Sequence, residues 1–201
     1  MAAAGKTLAL FDFDGTLTDR DSFADFIRQH HSWWALMWAG LRLGPAVVAM
    51  HLGLRSRQWS KEQVMRHFFA PMGVAEFSRR AQAYAAQRVP AILRAQGLQR
   101  LRAHRDQGHR VVVISASPED WIAPWCAAEG VECLATRLER RDGELTGAIE
   151  GENCRNGEKV RRLCELLDLA AYGEIHAYGD SAGDREMLAI ADHPNFRPFE
   201  D

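Results

Sequence analysis

Two aspartates near the amino terminus stand at a spacing that allows joint chemistry. Asp12 and Asp14 are two residues apart, and Gly15 follows them. Two carboxylates at this spacing could act on one ligand, and the glycine would let the backbone approach that ligand closely. The same spacing is equally typical of a solvated acidic loop, so these aspartates become informative only together with the elements around them.

A second segment combines serines with the features of a helix start. Ser117 has the residue type of an N-cap, Pro118 suits the first turn, and two acids, Glu119 and Asp120, suit the positive end of the helix dipole. A helix amino terminus beside the hydroxyl of Ser115 would bind phosphate. The alternative is a strand that ends at Ser115 and a helix that Ser117 caps, without any ligand.

Two further acids, Asp180 and Asp184, lie four residues apart among glycine, serine and alanine. Magnesium prefers hard oxygen ligands and commonly takes one or two protein carboxylates together with phosphate oxygens and water. Asp12 and Asp180 could supply these carboxylates if their strands are neighbours. A turn that binds no metal is the alternative for this segment.

Lysine is scarce in this chain, which contains Lys6, Lys61 and Lys159 and takes most of its positive charge from arginine. Lys159 precedes the acidic segment at 180–184 and is the candidate cation for a phosphate group. Lys61 lies outside these segments, and its replacement is expected to leave activity nearly normal. A solvated surface side chain is the alternative for any lysine.

The elements that must position these residues alternate along the chain. Apolar runs predict strands at 7–13, 110–115, 131–136 and 174–179, and composition predicts helices at 91–107, 119–128 and 158–169. This order predicts an α/β fold with a doubly wound, Rossmann-like parallel sheet. Such sheets bind ligands at the carboxyl ends of their strands, where the candidate residues stand.

Two segments depart from this alternation. Residues 138–149 carry Asp142 and Gly143 between two runs, which predicts a β-hairpin at the edge of the core. Residues 19–90 contain no convincing strand and are too long for an ordinary connection, which predicts a helical cap. The predicted division is a catalytic core at 1–18 and 91–201 and a cap domain at 19–90.

The composition of the 201 residues limits the class of function. A hydrophobic content of 47% is enough to bury a core, and a net charge of -2 argues against general nucleic-acid binding. The four cysteines lack metal-site spacing, and the first residues lack the apolar core of a signal peptide. A cytoplasmic protein is expected, and the sequence leaves its oligomeric state open.

The segments DFDGTLT, VVISAS, GEKV and GDSAGD together resemble the four motifs of the haloacid dehalogenase superfamily of aspartate-dependent phosphatases. They occur in the order of that family and cover both ends of the chain. The helical insertion after the first motif resembles the cap of the phosphoserine-phosphatase-like branch. The resemblance implies a phosphomonoester hydrolase that acts through an aspartyl-phosphate.

The resemblance gives catalytic roles to four residues. It implies that Asp12 attacks phosphorus, and that Asp14 first protonates the leaving oxygen and then activates water. Ser115 and Lys159 would hold the phosphate oxygens and offset the charge that develops on them.

Magnesium is the cofactor that the resemblance implies. Asp12, Asp180 and the main-chain carbonyl of Asp14 would hold the ion, and Asp184 would orient either the metal shell or Lys159. Anionic Asp12 and an anionic phosphate ester repel each other, so such a cation is needed before attack.

A small phosphorylated metabolite, such as phosphoserine or a related compound, is the expected substrate. In phosphoserine phosphatases, a glutamate and an arginine of the cap bind the amine and the carboxylate of the substrate. Asp21 stands where that glutamate would be, and Arg66 is a loose candidate for the arginine. The resemblance also implies substrate binding by Ala116, which replaces a glycine of the second motif, and by Ser115 and Lys159.

A lipid phosphate is the alternative substrate, because the chain also resembles the branch that includes the bacterial phosphatidylglycerophosphate phosphatase. The similar features are segment 21–26, Cys154 ahead of GEKV, and an apolar stretch at 33–54. Arg42 and the pair Gly44 and Pro45 predict two short helices in that stretch rather than a transmembrane helix. A buried pair in the cap is expected, with contact to a lipid surface as the alternative.

A receiver-like signalling domain is the alternative from another functional class. Such a domain is also phosphorylated on an aspartate at a strand end, with a hydroxyl residue and a lysine nearby. Asp14 and the large insertion favour a hydrolase instead.

Overall fold

The computed structural model describes residues 6–70 and 72–200. The strands are β1 (Lys6–Phe11), β2 (Arg110–Pro118), β3 (Glu132–Thr136), β4 (Leu138–Arg141), β5 (Glu144–Ile149), β6 (Tyr172–Gly179) and β7 (His193–Phe196). The helices are α1 (Ser22–His30), α2 (Trp33–His51), α3 (Arg57–Phe69), α4 (Val74–Gln87), α5 (Val89–Ile92), α6 (Ala95–Asp106), α7 (Glu119–Glu129), α8 (Gly157–Leu166) and α9 (Arg185–Ala189).

Five parallel strands form one sheet in the order β3-β2-β1-β6-β7, so that β1 lies at its centre. Ala9 and Phe11 of β1 face one hydrophobic layer, while Leu8 and Leu10 face the other. A strand that is buried on both faces is apolar throughout, which explains the continuous apolar run in the sequence. Strand order reverses beside β1, so a ligand site is expected at its carboxyl end.

Helices cover both faces of this sheet. Leu101 of α6 and Trp121 of α7 belong to the layer on one face, and Leu163 of α8 and Met187 of α9 belong to the other. The predicted doubly wound α/β fold is therefore confirmed. The edge strand β7 was not predicted, because its four residues include Pro194 and lack an apolar run.

Helices α1 to α5 lie between β1 and β2 and form the predicted helical insertion. Phe26 of α1 stacks on Trp121 of α7 with 4.6 Å between ring centroids, and it also packs against Phe69 of α3 and Phe77 of α4. The insertion and one face of the sheet thus share a single hydrophobic core. The division of the chain at 19–90 stays a prediction.

Strands β4 and β5 form the hairpin predicted around Asp142 and Gly143. Both turn residues have positive φ, at 51° and 83°, as a tight two-residue hairpin turn requires. The hairpin is hydrogen-bonded to the chain between α3 and α4: the Val74 N–H donates to the Gly143 carbonyl (2.9 Å), and the Leu145 N–H donates to the Met72 carbonyl (3.0 Å).

The apolar stretch at 33–54 differs from its prediction. It forms the single 19-residue helix α2, and Pro45 lies inside this helix without ending it. Pro45 is exposed, so water can satisfy the backbone carbonyl that loses its partner. Only Ala39 of α2 is buried, so the prediction of two short buried helices is wrong. Among the residues described, the structure contains no helix with the length and apolar character needed to cross a membrane.

Candidate active site

A cavity of about 610 Å³ opens at the carboxyl edge of the sheet. Its floor is lined by residues that follow β1, end β2, begin α8 and follow β6. Helices α1, α2 and α3 contribute the opposite side. The sheet topology therefore brings together the four segments that carry the sequence motifs.

Lys159 connects three of these segments. It lies in the first turn of α8 and is buried, and its Nζ donates to Asp12 Oδ1 (2.5 Å), Asp184 Oδ1 (2.6 Å) and the Ile114 carbonyl (2.9 Å). Burial opposes the charge of this ammonium, but the carboxylates of Asp12 and Asp184 outweigh burial and raise the pKa of Lys159. Lys159 therefore remains a fixed cation at the base of the cavity.

Asp12 follows β1 directly and is 6% exposed. Its backbone N–H donates to the Tyr178 carbonyl of β6 (2.9 Å), which fixes the position of the side chain relative to the sheet. Burial raises the pKa of the Asp12 carboxyl to about 8, although the charge of Lys159 lowers it. A further cation beside Lys159 would therefore favour the ionised carboxylate of Asp12.

The carboxylates of Asp12, Asp180 and Asp184 face one another, with one oxygen of each within 4.8 Å of the others. Burial raises the pKa of Asp180, and the nearby charge of Asp184 adds to this effect. For Asp184, burial is outweighed by Lys159 and by hydrogen bonds from Ser181, so its pKa is lowered. Three acids thus share one lysine, and a hard divalent cation such as magnesium fits this donor set.

Gly15 allows the turn after β1 to approach Asp180. Its φ is +86°, and a Cβ at this position would lie 2.7 Å from Asp180 Cγ. Thr16 then donates a hydrogen bond from its hydroxyl to Asp180 Oδ1 (3.3 Å). The glycine of the first motif is therefore required both by backbone conformation and by space.

Asp14 lies in the same turn and accepts two hydrogen bonds. The Ser22 N–H donates to Oδ1 (2.7 Å), and the Ser117 hydroxyl donates to Oδ2 (2.5 Å). Burial and the nearby charge of Asp21 raise the pKa of Asp14 to about 6, while both donors lower it. A pKa near 6 suits a group that both donates and removes a proton close to neutral pH.

The prediction that Ser117 caps α7 is wrong. Strand β2 continues through a bulge to Pro118, which itself precedes α7, and the Ser117 side chain makes no capping hydrogen bond. Ser115 is fully buried, and its Oγ accepts a hydrogen bond from the Ser117 N–H (3.0 Å). Ala116 and Ser117 line the cavity, whereas Ser115, a predicted phosphate-binding residue, does not.

Asp21 and Arg66, the two predicted substrate-binding residues of the helical insertion, lie in different places. Asp21 lines the cavity, and its Oδ1 also caps α1 by accepting the Ala24 N–H (2.8 Å). Arg66 of α3 does not line the cavity; its guanidinium lies 3.9 Å from Glu62 and its backbone faces Gly147 of the hairpin. The structure therefore brings Asp21 to the site and leaves Arg66 outside it.

Lys61 lines the cavity, although its place outside the motif segments predicts that its replacement leaves activity nearly normal. Its Nζ donates to the Ala116 carbonyl (2.5 Å) and lies 5.2 Å from the ring centroid of Phe23. Burial lowers the pKa of Lys61 to about 8, while the charges of Asp14 and Asp21 raise it. Lys61, which lies on α3 of the helical insertion, thus contacts the second motif across the cavity.

Three arginines that are not among the predicted site residues also line the cavity: Arg20, Arg57 and Arg155. On α3, the cavity residues Arg57, Lys61 and Val64 follow the spacing of one helix face. That spacing is the feature through which the sequence could have revealed Arg57 and Lys61. It does not by itself say which face of α3 meets the site.

Known proteins resemble this chain along most of its length. A model of the haloacid dehalogenase-like hydrolases matches residues 9–189. Protein CicA of Caulobacter vibrioides is 39% identical over 198 residues, which cover 96% of this chain and 86% of that protein. The histidinol-phosphatase of Neisseria meningitidis is 28% identical over 211 residues, which cover 94% of this chain and 89% of that enzyme.

Solved structures share the fold. One of them, a phospho-aspartyl intermediate analogue of phosphoserine phosphatase, has a TM-score of 0.65 at 20% identity and covers 93% of this chain and 84% of its own. At that identity the likeness concerns the fold alone. The family match extends over all four motif segments, and the relatives named above include a phosphatase. The chain therefore belongs to the haloacid dehalogenase-like hydrolases, and the expectation of a phosphatase of this family is confirmed.

Proposed function

We propose that the protein is a magnesium-dependent phosphomonoester hydrolase that forms an aspartyl-phosphate on Asp12. The observation that carries this proposal is the arrangement at the cavity floor. There Asp12 is held by Lys159 and faces two further carboxylates, while Asp14 lies in the same turn with a pKa of about 6. A buried nucleophile, a fixed cation and a separate proton donor are the groups that phosphate-ester hydrolysis requires.

A bound magnesium ion would neutralise charge on the phosphate and on the carboxylates, so that the phosphate ester can approach the Asp12 carboxylate. Asp12, Asp180 and Asp184 would hold it, with the main-chain carbonyl of Asp14. Lys159 holds one oxygen of Asp12 and remains charged, which orients the carboxylate and keeps positive charge beside the phosphate oxygens.

The reaction then proceeds in two steps on the protein side chains. A carboxylate oxygen of Asp12 attacks phosphorus, the bond between phosphorus and the leaving oxygen breaks, and the protonated carboxyl of Asp14 gives its proton to that oxygen. In the second step, Asp14 removes a proton from water, the water oxygen attacks phosphorus, and the bond to Asp12 breaks. Inorganic phosphate leaves, and Asp12 is restored as a carboxylate.

The cations of the cavity favour a leaving group that carries negative charge. Besides Lys159, the cavity is lined by Lys61, Arg20, Arg57 and Arg155, and Asp21 adds one carboxylate outside the four motif segments. A cavity of about 610 Å³ accommodates a small metabolite. Phosphoserine or a related phosphorylated compound fits both properties.

A lipid phosphate is a second candidate, supported by two apolar side chains of α2. Val47 and Met50 line the cavity on the same side as Lys61, so the wall beside the cations is partly apolar. A short-chain phosphatidylglycerophosphate therefore belongs in any test of substrates, together with phosphoserine and histidinol phosphate.

The test is phosphate release from this panel and from an aryl phosphate, with magnesium and with a chelator. We expect activity only with magnesium, and no turnover by Asp12→Asn, because an amide cannot act as the anionic nucleophile. Beryllium fluoride, which mimics a phosphoryl group on aspartate, should bind the wild type with magnesium and fail to bind this variant. Asp106→Asn, which changes an exposed acid on α6, is the matched control. Normal turnover by Asp12→Asn would refute the proposal.

A further inference from the structure

The side of α2 that faces away from the molecule is apolar. Trp34, Trp38 and Leu41 are 69%, 70% and 72% exposed. They belong to a stripe that recurs at every helical turn, which we call the α2 surface: Trp34, Trp38, Leu41, Pro45, Val48 and Leu52. A helix on the surface of a globular protein normally directs its apolar stripe toward the core, whereas α2 also carries an apolar stripe on its exposed side.

The packing of α2 explains why this surface is left uncovered. The helix contacts α3 through its other side, where Ala39 is buried and the Ala46 carbonyl accepts a hydrogen bond from the Ser60 hydroxyl (3.3 Å). Within residues 6–70 and 72–200, no segment covers the opposite side. Contiguous exposed apolar surfaces of this kind mark sites of contact with a membrane or another macromolecule.

The charge around α2 identifies the kind of partner. Segment 26–61 contains five lysine and arginine residues and no aspartate or glutamate, whereas the whole chain has a net charge of -2. Arg42 and Arg55 are exposed within it. Tryptophan and arginine are the side chains that favour the interface between lipid headgroups and acyl chains. A second copy of the same surface would bring two cationic segments together, so charge disfavours a dimer through this face.

We propose that α2 docks the protein on the surface of an anionic phospholipid bilayer, with the helix lying parallel to that surface. The indoles of Trp34 and Trp38 enter the headgroup region, and Arg42 and Arg55 contact lipid phosphates. This orientation agrees with the absence of a membrane-spanning helix among the described residues. It also places the cavity close to the headgroups, because Val47 and Met50 of the same helix line it.

The experiment measures co-sedimentation of the full chain with vesicles of phosphatidylcholine, alone or mixed with phosphatidylglycerol, together with tryptophan fluorescence. We expect the wild type to bind the anionic vesicles with a blue shift and to bind neutral vesicles more weakly. The double variant Trp34→Ser/Trp38→Ser should lose at least about 10-fold in partitioning, since two large apolar side chains no longer leave water. Phe196→Ser, which changes a residue that is 59% exposed elsewhere, should bind like the wild type.

The variants remain informative because none of them touches the catalytic cavity. Hydrolysis of an aryl phosphate without vesicles should match the wild type in each of them, which verifies the fold. Arg42→Ser/Arg55→Ser should weaken binding to anionic vesicles and leave binding to neutral vesicles unchanged. The proposal is overturned if the wild type does not bind anionic vesicles, or if the tryptophan variant binds as well. It is also overturned if light scattering shows a wild-type dimer that this variant converts to a monomer.

Discussion

The hydroxyl of Ser117 is one of the groups that determine the pKa of Asp14. It donates a 2.5 Å hydrogen bond to Oδ2 and thereby lowers the pKa of Asp14, which burial and Asp21 raise to about 6 overall. Ser117→Ala removes a donor that stabilises the carboxylate more than the carboxylic acid. The pKa of Asp14 should therefore rise in this variant.

The size of the shift follows from the energy of the lost hydrogen bond. A hydrogen bond to a charged group contributes about 1.5–3 kcal/mol, and one pKa unit corresponds to about 1.4 kcal/mol, which bounds the shift at roughly one to two units. The Ser22 N–H remains bound to Oδ1, and the cavity can admit a water in place of the hydroxyl. We therefore expect a shift of about one unit, which moves the pKa of Asp14 from about 6 to about 7.

The assay is kcat/KM for an alkyl phosphate between about pH 4 and pH 9. The acid form of Asp14 protonates the leaving oxygen, so the rate falls as the pH rises through this pKa. In Ser117→Ala the falling limb should move to higher pH by about one unit. Ser117→Thr keeps the hydroxyl and should follow the wild type. A limb that stays in place or moves to lower pH would refute the reasoning, as would an equal shift in both variants.

Four further variants test separate parts of the site and its surroundings. Asp14→Asn should lose about 100-fold or more on an alkyl phosphate but less on an aryl phosphate, whose oxygen leaves without a proton; equal losses would remove Asp14 from the acid role. Lys61→Met should raise KM about 10-fold for an anionic substrate. Arg66→Met should keep a KM near that of the wild type. A raised KM in Arg66→Met, together with an unchanged KM in Lys61→Met, would assign the substrate role to Arg66 instead. The KM of the wild type should rise above pH 8, as Lys61, with a pKa of about 8, loses its charge. Gly15→Ala should lower Tm and activity together, because its Cβ meets Asp180 and its φ is positive, at a cost of about 1–2 kcal/mol for the backbone alone; unchanged Tm and activity would contradict this account.

Predictions from the sequence succeeded where one local pattern decides the structure. Residues 8–11 of β1 are apolar because both faces of the strand are buried there, and the run at 7–13 therefore predicted a buried strand, which in the structure ends at Phe11, just before Asp12. The pair Asp142 and Gly143 predicted its hairpin for an equally local reason, since both residues tolerate positive φ. Asp180 lies opposite Asp12 because parallel strands end at the same edge of a sheet.

The remaining features depend on packing between distant segments. Whether Ser117 caps a helix or binds Asp14 is decided by the bulge in β2 and by the turn after β1, which lies about a hundred residues away in sequence. Lys61 enters the cavity because α3 turns one particular face to the sheet, and spacing alone does not reveal which face that is. The apolar composition of α2 suggested burial, but α3 covers only one side of it.

The hydrogen bonds between the hairpin and the chain before α4 limit how substrate can enter. The two segments that connect the helical insertion to the core are paired with each other, through the Asp19 N–H to the Ile92 carbonyl (2.9 Å) and the Arg94 N–H to the Leu17 carbonyl (2.7 Å). The hairpin adds a second attachment, between Val74 and Gly143. An insertion that is held at two separated places cannot swing freely about a hinge at one of them. Access to the cavity therefore depends either on the hairpin travelling with α3 as one lid, or on local displacement of α1 and α2 while the rest of the insertion stays in place.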